Sequence, residues 1–253
     1  MKTIVVTLRP VESKRLLGKA VVALPEVQHA YRHGRLIVAG GTTNAYVLEE
    51  LTGEFVDKGS YTAGVIAEGY AGVTDPAVRQ EAAVFVHGEL VRRPWTEVIA
   101  EFEADDVMIK GANAIDLEGN AGILLGGRQG GTIGIAMGYL AASGAQLIMP
   151  VGLEKLVPSV RDAAAVLGRS RVSDDWSLPC GMFVVSAAEI ITEVEAIEWL
   201  YDVEAIPVAG GGVAGSEGSI TLAVSGEADD IEQFSELVSQ LKQEPLFTVR
   251  RQQ

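Results

Sequence analysis

Short apolar runs alternate with longer stretches of helical periodicity along most of the chain. Residues 2–7 (KTIVVT) predict a strand, and Pro10 opens a helix through VESKRLLGKAVVAL, with apolar side chains at helical spacing. Pro25 interrupts it, and EVQHAYRHG runs on to a glycine stop at Gly34. Arg35 to Ala39 (RLIVA) predicts a buried strand, followed at once by Gly40-Gly41-Thr42-Thr43-Asn44 and then the helix AYVLEEL. Residues 61–69 and 82–91 predict strands and WTEVIAEFEA a helix. Further on, 106–110 (DVMIK) reads as a strand, TIGIAMGYLAASG as a helix and 145–151 (AQLIMPV) as a strand. Strands separated by helices at this spacing predict an α/β fold, a Rossmann-like parallel sheet with helices on both faces.

The rhythm changes near residue 180. MFVVSA reads as a strand, EIITEVEAIEWLYDV as a helix and EAIPVAGG with SITLAVSGE as a hairpin. DDIEQFSELVSQLKQ reads as a helix capped by Asp229 or Asp230, and PLFTV as a last strand. That order, βαββαβ, predicts a ferredoxin-like subdomain. The expected organisation is an α/β domain over 1–179 and a ferredoxin-like α+β subdomain over 180–253.

Composition narrows the chemistry. Apolar residues form 48% of the 253, enough for a sizeable core. Against 20 basic residues stand 34 acidic ones, a net charge of −14. A field of that sign repels phosphate backbones, so nucleic acid is not an expected partner. A small anionic metabolite would need locally focused positive groups such as helix N-termini, a lysine or an arginine. No apolar run approaches the roughly 18 residues of a membrane span, so no membrane partner is expected. The opening residues lack a signal-peptide core, which makes the cytoplasm the expected compartment. Cys180 stands alone, which excludes an internal disulfide and fits a reducing compartment. His29, His33 and His87 show no metal-ligand spacing, so no metal is expected, and no other cofactor is implied. The nucleotide P-loop, the dinucleotide glycine fingerprint and the serine-hydrolase elbow are all absent.

Four segments could carry chemistry. Gly40, Gly41, Thr42, Thr43 and Asn44 link a strand to a helix, where free N–H groups and the helix dipole favour an anion. Gly111, Asn113 and Asp116 follow another strand end; Asp116, with Glu118, could serve as an acid–base pair, or Asn113 and Asp116 could simply shape an Asx turn. Gly127, Arg128, Gly130, Gly131 and Thr132 form a second glycine-rich approach to a helix, with Arg128 able to fork onto a phosphate or carboxylate. Lys155 lies just past the AQLIMPV strand, on the expected ligand edge, and could stabilise an oxyanion.

These segments together resemble the superfamily of sugar-phosphate isomerases, CoA transferases and DeoR-type effector domains. The likeness to the DeoR-type effector domain rests on AGGTTNAYVLEEL, AAVFVHGEL, Ala104-Asp105-Asp106 running into Gly111-Ala112-Asn113-Ala114-Ile115-Asp116, and Lys155. It covers roughly residues 35–157. The resemblance implies that Thr42, Thr43 and Lys155 hold the phosphate of a sugar phosphate while Asn113 and Asp116 face the sugar. The GGRQGGTIG segment departs from that pattern, no helix-turn-helix precedes the domain, and neither the isomerase acidic signature nor the CoA-transferase glutamate motif is evident. Three functions therefore stand open: an isomerase-like or transferase-like enzyme acting on a phosphorylated metabolite, a non-catalytic metabolite sensor, and a structural homo-oligomer.

Overall fold

The computed structural model describes residues 1–252. It is a mixed α/β fold. In chain order, β1 (Lys2–Leu8) leads into helices α1 (Pro10–Ala23) and α2 (Pro25–His33), then β2 (Arg35–Val38) and α3 (Thr42–Thr52). Two hairpins follow, β3 (Gly64–Ala67) with β4 (Tyr70–Val73), and β5 (Ala83–Val86) with β6 (Glu89–Leu90), and then the short helix α4 (Trp95–Val98). Next come β7 (Val107–Ile109), β8 (Ala114–Ile115), β9 (Ala121–Leu125), α5 (Gly131–Ser143), β10 (Gln146–Pro150) and α6 (Val160–Val166). The chain closes with β11 (Gly181–Val185), β12 (Glu189–Ile191), α7 (Glu193–Leu200), β13 (Val203–Gly210), β14 (Ile220–Gly226) and α8 (Ala228–Leu241).

The main sheet has the order β12-β10-β7-β2-β5-β6. Its first four strands are parallel, and β5 and β6 add on antiparallel. Period-2 alternation divides its side chains between two cores. Leu36, Val38, Val107, Ile109 and Ile148 face a core shared with α1, α2 and α7. Ile37, Met108, Leu147 and Met149 face a second core with Ile133, Ala136 and Leu140 of α5 and Val98 of α4. The sheet is thus covered on both faces, as parallel strands require.

Both hairpins turn on a residue pair with positive φ, Glu68-Gly69 and His87-Gly88. Such pairs match the right-handed strand twist. The run 82–91, predicted as one strand, is therefore folded back on itself, while the run 61–69 supplies only β3 and its turn, and β4 lies beyond it.

The tail does not form a ferredoxin-like sheet. β11 pairs with β9, β12 extends the main sheet, and the β13–β14 hairpin takes β1 as its third strand, antiparallel over seven residue pairs from Lys2↔Gly226 to Leu8↔Ile220. PLFTV is extended without joining a sheet, apart from the isolated bridge Thr74↔Arg251 beyond it. The first and last parts of the chain share one core, in which Leu8 of β1 meets Leu222 and Phe234 of the tail, so the expected division at 179/180 does not separate two packed units.

Candidate functional site

The parallel strands β2, β7 and β10 end side by side, and the chain leaves each of them into a segment singled out above. A cavity of about 600 Å³ opens at that edge. Gly40, Gly41, Thr42, Thr43, Asn44, Gly111, Asn113, Gly127, Gly131, Thr132 and Lys155 all line it. Ligands of parallel α/β sheets sit at these strand ends because helix N-termini converge there.

The first wall is the N-terminus of α3. Its N-cap is Gly41, with no side-chain cap, and the first helical bond runs from Ala45 N–H to the Gly41 carbonyl. The N–H groups of Thr42, Thr43 and Asn44 consequently donate to no acceptor among the described residues. Tyr61 braces the turn: Gly41 N–H donates to its carbonyl at 2.6 Å and its hydroxyl donates to the Val38 carbonyl at 2.6 Å. Asn44 is fully buried, and its Nδ2 donates to the carbonyls of Ala39 (2.7 Å) and Ile109 (3.3 Å). Those two bonds fix the amide orientation and leave Oδ1 unpartnered, close to Gly111 at the cavity floor.

The second wall is the N-terminus of α5. Its N-cap, Gly130, has φ 75, a left-handed conformation that favours glycine, and again no side chain caps the helix. Gly134 N–H makes the first helical bond, to the Gly130 carbonyl. Gly131 and Thr132 face the cavity with Ile133. Two uncapped helix starts thus point into one space, each worth about half an elementary positive charge.

Three cationic side chains add to them. Lys155 Nζ donates to the Ala112 carbonyl at 2.9 Å, and Lys110 Nζ to the Gly111 carbonyl at 3.1 Å. Arg79 enters from the β4 side, its Nε bonded to Thr74 Oγ1 at 2.9 Å. No carboxylate lines the cavity among the described residues. Burial, reinforced by the charge of Lys155, pushes Lys110 down to about 8. Burial also lowers Lys155, with Glu154 behind it opposing the shift and Lys14 adding to it. The remaining wall is apolar: Val65, Ile66, Val73, Ile123, Leu125 and Leu178 face it, with Cys180, whose thiol burial pushes up rather than activates.

Four expected site residues lie elsewhere. Asp116 is buried but does not line the cavity. Its Oδ1 accepts from Glu118 N (3.1 Å), Asn120 N (3.0 Å) and Asn120 Nδ2 (3.1 Å), and its Oδ2 from Asn120 Nδ2 (3.1 Å) and Val160 N (2.9 Å). Burial alone would raise its pKa, but the bonds from Val160, Asn120 and Glu118 outweigh it and hold the carboxyl below the usual range. A carboxylate so engaged anchors the loop before β9 to the start of α6, and is not placed to move protons at the cavity. Glu118 is exposed on that loop, away from the cavity. Arg128 is exposed at the tip of its loop, outside the lining, and Gly130 shapes the start of α5 from behind. Asn113 is at the lining, yet its Oδ1 is taken by Leu124 N–H at 2.9 Å, which leaves its Nδ2 as a donor.

Arg79 and Lys110 were not selected from the sequence. Lys110 carried a readable signal, since it is the charged residue closing the apolar strand DVMIK directly before Gly111. Arg79 carried none, because a two-strand hairpin brings it to the cavity from far along the chain. Compared with family models, with curated proteins and with solved structures, the chain gives no match.

Proposed function

We propose that the protein binds a small phosphorylated metabolite in the cavity at the ends of β2, β7 and β10. The observation that carries this reading is convergence: two uncapped helix N-termini and the side chains of Lys110, Lys155 and Arg79 meet in a space that no acid among the described residues lines, inside a chain of net charge −14. A phosphate needs several N–H donors and a local positive potential, and both are offered here. The unpartnered Oδ1 of Asn44 adds one acceptor, which suits a ligand that also carries a hydroxyl. The resemblance to sugar-phosphate isomerases and DeoR-type effector domains agrees with this ligand class, and the parallel strand order supports the Rossmann-like reading of the sheet. Use of the glycines purely for packing, as in a structural oligomer, asks that side chains plug these turns, whereas they border open space.

The test is a thermal-shift screen with inorganic phosphate, sulfate and a panel of phosphorylated metabolites, followed by calorimetry on the hits. Saturating ligand at about 100 times its Kd raises stability by about 2.7 kcal/mol. Stabilisation by phosphorylated compounds, and none by their dephosphorylated counterparts, is the expected result. Equal effects from both groups, or from neither, refute the reading.

A further inference from the structure

We infer that Lys110 is a nucleophilic amine, placed to form an imine with an oxo group on the phosphorylated ligand. This rests on the anion-binding reading and goes beyond it by assigning covalent chemistry and a ligand class, an aldehyde or ketone bearing a phosphate.

Four lysines elsewhere in the chain sit against carboxylates: Lys14 pairs with Glu154, Lys19 with Glu50, Lys58 with Glu49 and Lys242 with Glu12. Lys2 is exposed on β1. Lys110 and Lys155 instead bond to the carbonyls of consecutive residues, Gly111 and Ala112, and neither forms an ion pair among the described residues, Glu154 acting on Lys155 only at longer range. A lysine partly withdrawn from water beside a second cation that titrates near 8 holds roughly a tenth of its amine free at pH 7, against roughly 0.04% for a solvated lysine, and the free amine is the form that attacks a carbonyl. Burial and Lys155 bring Lys110 to about 8, whereas a solvated lysine titrates near 10.4. Arg79 is the other charged group on the lining.

The step balances without oxidant or reductant. The Nζ lone pair attacks the carbonyl carbon, a C–N bond forms, and the π pair moves to oxygen, which takes a proton from the Lys155 ammonium. Nζ returns a proton to Lys155, giving the carbinolamine. Its hydroxyl then leaves as water with a proton from Lys155, a protonated C=N bond remains, and solvent recharges Lys155. With the phosphate on the N-termini of α3 and α5, the apolar wall at Val65, Ile123 and Leu125 takes the ligand body.

Pyridoxal 5′-phosphate supplies aldehyde and phosphate in one probe. The full-length protein is incubated with it, reduced with borohydride and mapped by peptide mass. Lys110 is expected to carry the label at least about tenfold faster than Lys155 or Lys2. Excess sulfate should suppress that label, pyridoxal without the phosphate should react at least about tenfold more slowly, and the rate should be half-maximal near pH 8. Lys110→Arg, which keeps a cation in the cavity, should lose the cavity label. Label spread evenly over the lysines, or placed on Lys155, with sulfate binding intact, overturns the assignment to Lys110 and leaves the anion site standing. Wild-type protein that neither binds sulfate nor is protected by it overturns the anion reading itself.

Discussion

Gly41→Asp should raise stability and abolish anion binding together. Gly41 is the N-cap of α3, with φ 164 and ψ 146, extended backbone that any residue adopts. A Cβ there would lie 3.6 Å from Asn44 Cγ and Nδ2, an ordinary contact. An aspartate in this position can accept from the free N–H of Thr43 or Asn44. Replacing a glycine cap contributes a few tenths of a kcal/mol, and the carboxylate at the positive helix end adds about 0.3–1 kcal/mol. A gain of about 1 kcal/mol corresponds to a Tm rise of about 2–4 °C in a chain of this size. The same carboxylate occupies donors that a bound phosphate needs and repels it. Two unit charges about 4 Å apart at an effective dielectric of 20 repel by about 4 kcal/mol, roughly a thousandfold in affinity. Thermal melts paired with phosphate calorimetry read both effects, and Gly41→Asn supplies the cap without the charge and should bind with intermediate affinity. A higher Tm with affinity unchanged within about twofold refutes the reasoning, because the α3 N-terminus would then not face the anion.

Asp116→Asn should behave in the opposite way, costing about 3 kcal/mol, since at least one charge-assisted bond is lost and a buried N–H such as that of Val160 is left unpaired. Urea melts should show this loss while the folded variant binds phosphate with wild-type affinity. Because the Asp116 carboxyl is held below its unfolded value, its contribution is complete above about pH 4 and disappears as pH falls through the folded pKa, so the gap between wild type and variant should close in acid. Gly134→Ala places a Cβ 2.8 Å from the Gln129 carbonyl oxygen, a backbone atom, and should displace the loop that presents Gly131 and Thr132; phosphate affinity is expected to fall about tenfold for about 1 kcal/mol of stability, by calorimetry and melting. Sulfate, whose charge is constant over the range, should bind more weakly as pH rises through about 8, where Lys110 loses the protonated form that attracts it, and Lys110→Met should remove that step from the calorimetric pH profile.

The strand-to-helix turns were legible because their signals are local. A strand followed directly by glycines and a helical run marks the turn before any coordinate is known, but the helix starts at Thr42 rather than at Ala45, and its lack of a side-chain cap shows only in the structure. The hairpins were harder, since Glu68-Gly69 and His87-Gly88 sit inside apolar runs and only the positive φ of the residue before each glycine reveals the reversal. The tail was misread for a different reason. β1 and β14 are joined across nearly the whole chain, and no local pattern says which edge a strand of alternating apolar residues will take. Thr192, by contrast, stands three residues before Glu195 and forms a capping box that starts α7, so the break between β12 and that helix was available in the residues. Asp116 shows the boundary for side chains: the residue type allows a base or an anchor, and only the donors around it decide.

The central claim is that the starts of α3 and α5 share one anion. Crystals soaked in tungstate, a tetrahedral phosphate analogue with strong anomalous scattering, test it directly. A dominant peak is expected in the cavity, within hydrogen-bond distance of the N–H groups at Thr42 or Thr43 and at Thr132, with Lys155 beside it. A cavity without a peak, while tungstate occupies other surfaces of the same crystal, would contradict it.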